Sequence, residues 1–278
     1  MNDKKTIFIT GSSSGLGRAA AKLFSTRGWN VIATMRNLKK APELDNLDGV
    51  MKYSLDVTQP EQVKAAAEEF GAGVDVVLNN AGYGLAGPLE ALSDEQILRE
   101  FDTNLMGTVR TTRAFLPYFR EKRAGLFINT VSIGGIIALP FNSSYIATKW
   151  ATEGWSEAMS FELAPFGIGV KTLLPGGMNT DFFGSMEIVQ HPAYEENAER
   201  ILAVFKDPQN VAGYSSPDQI AEVIYEAATD GKDQLIYIAG DDAREWYASR
   251  RALGDEVFRK TLRERFFPSA RAACDAAI

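Results

Sequence analysis

The sequence predicts an α/β protein built on one open, parallel, seven-stranded sheet wound with helices on both faces. Three observations carry this. Short, nearly continuous apolar runs rich in Val and Ile recur along the chain, as strands covered on both sides require. Segments of helical periodicity, roughly 10–15 residues long, alternate with them, the pattern of βαβ units. Right-handed crossovers then distribute the helices over both faces. Finally, the first apolar run passes straight into a glycine-rich turn, Thr10-Gly11-Ser12-Ser13-Ser14-Gly15-Leu16-Gly17.

The elements follow in order. Residues 6–10 are short, apolar and β-branched, and form the first strand. Residues 16–27 have helical spacing with Ala20, Leu23 and Phe24 on one face, and Gly28 supplies the stop. Residues 30–35 and 50–57 read as the second and third strands, 62–70 as a helix, and 74–78 as the fourth strand, leading into Asn79-Asn80-Ala81-Gly82. Helices at 94–104 and 108–121 precede a fifth strand at 125–131. A long helix at 144–165 and a sixth strand at 169–174 end in Pro175-Gly176-Gly177. From about Asp181 to Ser216 the chain reads as irregular. A helix at 217–229 and a seventh strand at 234–239 follow. The charged, Arg-rich tail reads as one amphipathic helix with a frayed end. No linker, repeat or low-complexity tract divides the chain. One domain, 1–278, is expected, with a lid at about 181–215 and a helical tail at about 241–278.

Composition narrows the function classes. The 278 residues are 45% hydrophobic and 23% charged, with formal net charge −7 and pI about 5.0. Such a balance disfavours nucleic acid and anionic membrane, which bind clustered cations. The single thiol, Cys274, closes no internal disulfide, in keeping with a reducing, cytoplasmic location. The apolar run after the start is too short for a signal peptide. No apolar run reaches the roughly 18 residues that span a bilayer.

A strand turning directly into a helix aims free backbone N–H groups and the positive end of the helix dipole at one spot, which suits a pyrophosphate. Glycines serve where the chain turns sharply and where a ligand approaches the backbone. Their spacing here, Gly11, Gly15 and Gly17, differs from the general Gly-x-Gly-x-x-Gly fingerprint, and no Gly-Lys-Ser/Thr closes a nucleotide-hydrolysing loop. An acidic residue at the end of the second strand would favour NAD. Thr34-Met35-Arg36 stands there instead. A guanidinium forks onto a 2′-phosphate, and Ser14 is placed to add a hydroxyl, so NADP(H) is the expected cofactor. Asp56 is expected to bond the adenine amino group.

Tyr145 and Lys149 lie four apart on a helix and share a face. A free phenol is too weak an acid to act as a base near neutrality. An ammonium about 6 Å away, at an effective dielectric near 20, favours the phenolate by about 3 kcal/mol, or roughly two pKa units. Tyr145 is then expected to act as acid in reduction and base in oxidation. Ser132 is expected to orient the substrate oxygen, and Asn104 to hold a water that links Lys149 to solvent. Ser143 and Ser144, the competing hydroxyls, read as N-caps. The only histidine, His191, reads as a surface residue, and no metal site is expected.

Together Thr10-Gly11-x-x-x-Gly15-x-Gly17, Asp56-Val57, Asn79-Asn80-Ala81-Gly82, Asn104, Ser132, Tyr145-x-x-x-Lys149 and Pro175-Gly176 resemble the short-chain dehydrogenase/reductase family, in its shorter-subunit branch. Ala33-Thr34-Met35-Arg36 with Gly87-Pro88-Leu89-Glu90 looks like the subgroup of 17β-hydroxysteroid and retinol dehydrogenases and bacterial carbonyl reductases. The resemblance implies a Rossmann-type sheet in order 3-2-1-4-5-6-7 and a tetrad of Asn104, Ser132, Tyr145 and Lys149. It implies a cofactor set of Gly11, Ser13, Ser14, Gly15, Leu16, Gly17, Arg36, Asp56, Val57, Asn80, Ala81, Gly82, Tyr145, Lys149, Pro175, Gly176 and Thr180. Within that set, Asn80-Ala81-Gly82 back the adenine-ribose side. Thr180 bonds the nicotinamide carboxamide, with Pro175 and Gly176 along the ring. It also implies a homo-oligomer, dimer or tetramer, through the helices at 108–121 and 144–165.

Ligands of such sheets bind beyond the carboxyl ends of the strands. Ile136, Ile137, Leu139, Phe141, Phe182, Phe183 and Met186 are available there. They suit an apolar, aromatic or lipid-like carbonyl compound, or equally pack the lid onto the core. The expected activity is NADP(H)-dependent interconversion of a secondary alcohol and a ketone. Two rivals stand beside it: an epimerase or dehydratase of the same superfamily, and an NADP(H)-binding redox-sensing regulator.

Overall fold

The computed structural model describes residues 4–178 and 186–268. Seven strands form the main sheet: β1 (Thr6–Ile9), β2 (Asn30–Met35), β3 (Val50–Ser54), β4 (Val76–Asn79), β6 (Gly125–Thr130), β7 (Ile168–Pro175) and β9 (Ile236–Ala239). Their order is β3-β2-β1-β4-β6-β7-β9, and every pairing is parallel. Two dipeptide strands, β5 (Leu85–Ala86) and β8 (Glu187–Ile188), pair with each other away from it. Counted along the main sheet alone, this is the expected order 3-2-1-4-5-6-7.

Alternation along each strand divides the core in two. Ile7 and Ile9 face one layer, with α1 (Gly15–Thr26) and α8 (Pro217–Thr229) over them; Phe8 faces the other. That second layer is covered by α2 (Pro60–Phe70), α4 (Gly107–Lys122) and α5 (Ser143–Leu163), through Val63, Phe115, Phe119 and Leu163. The short helix α3 (Asp94–Phe101) opens with a Ser93–Gln96 capping box.

Three segments differ from expectation. Among its described residues the lid region contains two helices, α6 (Glu195–Lys206) and α7 (Pro208–Ala212). Ala198, Ile201, Leu202 and Phe205 fall at helical spacing there, a period obscured in the sequence by neighbouring aromatics. The described part of the tail forms two helices, α9 (Asp241–Leu253) and α10 (Asp255–Phe266), because Gly254 takes a left-handed φ of 74° between them. Asp255 and Glu256 open the second, where a helix dipole favours acids. A third apolar cluster joins this tail to the lid through Ile133, Ile137, Ile201, Phe258, Leu262 and Phe266. Ser143 and Ser144 are not N-caps either. The chain turns at Phe141 (φ 58°), Asn142 takes the N-cap position of α5 without a side-chain bond to the helix, and Ser144 faces inward. Thr180, Phe182, Phe183 and Cys274 lie outside the described residues. Among those described, no helix is long and apolar enough to cross a membrane.

Candidate active site

The glycine turn is held from behind by the end of β4. Asn80 Nδ2 donates to the carbonyls of Thr10 and Gly11, both at 3.1 Å. Thr10 Oγ1 accepts from the backbone N–H groups of Asn80 (2.9 Å) and Ala81 (3.0 Å). A side chain on Gly17 would place its Cβ 2.4 Å from Gly11 O and 2.5 Å from Asn80 Nδ2; one on Gly11 would meet Ala81 Cα at 2.8 Å. Only glycine lets the two strand ends close this tightly. Ser12 is fully buried and bonds Ile9 O, whereas Ser13 and Ser14 line the cleft.

One cleft of about 2390 Å³ runs along the carboxyl ends of the strands. That is well beyond the roughly 300–1,000 Å³ of a single small-molecule pocket, so it has room for a dinucleotide and a second ligand. Gly11, Ser13, Ser14, Gly15, Leu16, Arg36, Asp56, Val57, Asn80, Ala81 and Gly82 line one end; Ser132, Tyr145, Lys149, Pro175 and Gly176 line the other. Gly17 supports the turn from beneath. Arg36 is exposed and has no ion pair among the described residues. Asp56 is partly committed to its own turn, because its Oδ1 accepts from Thr58 N (3.0 Å) and Thr58 Oγ1 (2.7 Å). Val57 packs against the α4 start, where a Cβ on Gly107 would meet it at 2.7 Å. The turn, its unhindered backbone and the unpaired cation fit a phosphorylated dinucleotide.

The four residues expected to carry the reaction converge at the far end. Ser132 follows β6, and its Oγ accepts from Gly134 N at 3.0 Å. The Ser132 hydroxyl is also hydrogen-bonded to the Tyr145 hydroxyl. Lys149 is buried, donates to Thr130 O at 3.0 Å, and stands 5.6 Å from the Tyr145 ring centroid. Asn104 lies in a π-helical turn, Asp102–Met106, rather than in the last turn of α3. Its Oδ1 accepts from Tyr83 N (3.0 Å), and its Nδ2 donates to Tyr83 O (2.9 Å) and Thr148 Oγ1 (3.2 Å). A Cβ on Gly82 would fall 2.9 Å from Asn104 Oδ1 and 3.8 Å from Lys149 Nζ, so these groups crowd one corner.

The electrostatics of this corner differ from the sequence expectation. Burial pushes the Tyr145 hydroxyl up to about 12, against the pull of the Ser132 hydrogen bond, and Glu100 adds to the rise. Burial pushes Lys149 down to about 8, with Glu100 opposing. The expected two-unit acidification counted the attraction of an ammonium and left out desolvation of the phenolate. Protein packs round most of the Tyr145 side chain, and desolvation wins.

Two contributors had no recognised signal. Glu100, wholly buried, sits at the end of α3 just before the π-helical turn that carries Asn104. Asp242 comes from the tail: its Oδ2 accepts from Gly177 N at 2.7 Å, and its carboxylate lies against Gly176. On the substrate side, Ile137, Leu139, Phe141 and Met186 line the cleft as expected, joined by Tyr194, Leu202, Phe205, Trp246 and Phe266. Ile136 does not; it packs with the tail cluster, and its carbonyl accepts from Arg250. His191 sits at the cleft rim, its Nδ1 accepting from Ala193 N at 3.2 Å.

The sheet order and the glycine turn define a dinucleotide-binding oxidoreductase fold. The family model for short chain dehydrogenases matches residues 5–189. An uncharacterized oxidoreductase of Schizosaccharomyces pombe is 38% identical over 234 residues, 83% of this chain and 98% of that protein. Human 17-beta-hydroxysteroid dehydrogenase type 1 is 34% identical over 84% of this chain and 77% of its own. A short-chain dehydrogenase from Streptomyces avermitilis superposes with TM-score 0.79 at 34% identity, covering 90% of this chain and 94% of that one. One from Burkholderia cenocepacia, in complex with NADP, gives 0.74 at 26% identity over 96% and 99%. The chain belongs to the short-chain dehydrogenase family of oxidoreductases.

Proposed function

We propose that this oxidoreductase uses NADP(H) to interconvert a secondary alcohol and an apolar ketone. The observation that carries the reading is the Tyr145 hydroxyl, bonded by Ser132 and flanked by Lys149, at one end of a cleft whose other end is the glycine turn and Arg36.

The residues from Gly11 to Gly17 would hold the pyrophosphate, Arg36 with Ser14 the 2′-phosphate, and Asn80 to Gly82 the adenosine ribose. Pro175 and Gly176 would flank the nicotinamide, and Thr180 lies outside the described residues. The bound nicotinamide would supply or accept the hydride. Ser132 would hold the substrate oxygen, and Tyr145 would give it a proton in reduction and remove one in oxidation. A phenol held neutral by burial carries the proton that reduction needs near neutral pH. Lys149 would offset charge arising on Tyr145, and Asn104 would fix Tyr83 and Thr148 around it. NADP(H) is supported by Arg36 and by the NADP-bound relative. The apolar substrate is supported by the aromatic lining and by the steroid dehydrogenase relative.

The apolar cluster that joins lid and tail helices to Ile133 and Ile137 supports one catalytic domain. Trp150 and Phe161, 42% and 71% exposed on α5, support a homo-oligomer built through that helix. The lone thiol and acidic composition support a cytoplasmic location.

Initial rates with NADPH and NADH, on cyclohexanone, acetophenone, 2-decanone and a 17-ketosteroid, test the proposal. Turnover of the larger apolar ketones with NADPH preferred is the expected result. NADPH binding without turnover on any of the four would favour the regulator instead.

A further inference from the structure

Glu100 has no exposed surface, an uncommon place for an acid. Its Oε1 accepts from Leu85 N at 2.7 Å, and its Oε2 accepts from Ser144 Oγ at 2.6 Å. Both bonds have the shortness of charge-assisted ones. Leu85 belongs to the strand that pairs with the lid strand at Glu187. Ser144 is the second residue of α5, which carries Tyr145 and Lys149. An isolated buried carboxylate would take up a proton rather than stay charged. Burial pushes the Glu100 carboxyl above the usual carboxylate range, while the two donors and the Lys149 ammonium, itself 6% exposed, oppose that rise and support the ionised form.

We propose that Glu100 is a positioning residue of this site: a buried carboxylate that keeps the Lys149 ammonium charged and, through Ser144, fixes the start of the helix bearing Tyr145. The role rests on the Tyr145–Lys149 reading above. Lys149 and Tyr145 face it from α5, Tyr83 from the loop after β4, and Glu187 from β8; Arg99, on its own helix, pairs with Glu187 at 2.5 Å. Its charge sustains the Lys149 proton and opposes the Tyr145 phenolate. Both effects keep the site protonated.

The test titrates Lys149 by NMR in protein labelled with carbon-13 at lysine Cε, its resonance assigned with Lys149→Arg. Glu100→Gln keeps both hydrogen bonds, since the amide oxygen accepts from Leu85 and the amide nitrogen donates to Ser144 Oγ. The Lys149 midpoint is expected to fall by roughly one pH unit. An unmoved midpoint in folded Glu100→Gln overturns the proposal and leaves Glu100 a structural link. Ser144→Ala is the second variant. It keeps the carboxyl but removes one donor, so the proton is held more readily and the Lys149 midpoint falls by less; no fall there also overturns it. The titration needs no turnover. If Tyr145→Phe stayed active, the acid–base reading would fail while the Lys149 shift stood. An inactive Tyr145→Phe with an unmoved Lys149 would remove only the role of Glu100.

Discussion

Substituting Gly17 by alanine should damage cofactor binding and stability together. The new Cβ would lie 2.4 Å from Gly11 O and 2.5 Å from Asn80 Nδ2, about 1 Å inside an unstrained contact of roughly 3.5 Å. Neither neighbour can yield alone, because Asn80 Nδ2 donates to Gly11 O at 3.1 Å. The turn must open, at the usual overpacking cost of about 1–3 kcal/mol. At this size each kcal/mol lowers the melting temperature by about 2–4 °C. Opening the turn also moves the N–H groups proposed to meet the pyrophosphate. NADPH should therefore bind roughly 10- to 100-fold more weakly, or about 1.4–2.7 kcal/mol. Gly28→Ala is the control. Gly28 has φ +81°, and a Cβ there would meet nothing within 4 Å. The variant should lose roughly 1–2 kcal/mol of stability with affinity unchanged. Thermal melts and NADPH fluorescence titrations read both quantities. Gly17→Ala binding NADPH as tightly as Gly28→Ala would refute the reasoning.

Three further outcomes are expected. Arg36→Ala should lower kcat/KM for NADPH by roughly 10- to 100-fold, the worth of a charge-assisted hydrogen bond, and leave NADH almost untouched; steady-state kinetics with both cofactors check it. Reduction should hold below pH 8 and decline above it, because Lys149 is charged below its value of about 8 and neutral above. Oxidation should instead rise with pH towards the Tyr145 value of about 12, since the base form gains there; rates across pH 6 to 10 would contradict this by showing an oxidation plateau near neutrality. Lys171 is buried and bonds Asp230 Oδ1 (2.7 Å), Ala227 O (2.8 Å) and Tyr237 OH (2.9 Å). Lys171→Met leaves Asp230 only its bonds from Tyr237 OH (2.6 Å) and Lys232 N (3.0 Å) and the exposed Lys232 ammonium, and should cost about 1–3 kcal/mol in urea unfolding with NADPH affinity kept.

The sheet was legible because its strands are apolar on both faces and its helices amphipathic, so local period and tertiary burial agree. The glycine turn, Ser132, Tyr145 and Lys149 were legible because their chemistry demands particular residue types at fixed spacings. Glu100 and Asp242 were not, since each acts through a partner far along the chain: Glu100 on Ser144, Asp242 on Gly177. Asn104 was placed on an ordinary helix because a π-helical turn leaves no periodic mark. The acidity of Tyr145 is not legible in the sequence for a related reason. Charge attraction can be worked from a spacing of four, but desolvation depends on the packing around the ring.

The central claim is that the Tyr145 hydroxyl carries the proton in a reaction run beside NADP(H). The most direct test is Tyr145→Phe, which removes one oxygen and little else, assayed for ketone reduction and for NADPH binding on the same preparation. The account predicts turnover lost by several orders of magnitude with NADPH affinity within a few-fold of the parent protein. Turnover close to the parent's would contradict it.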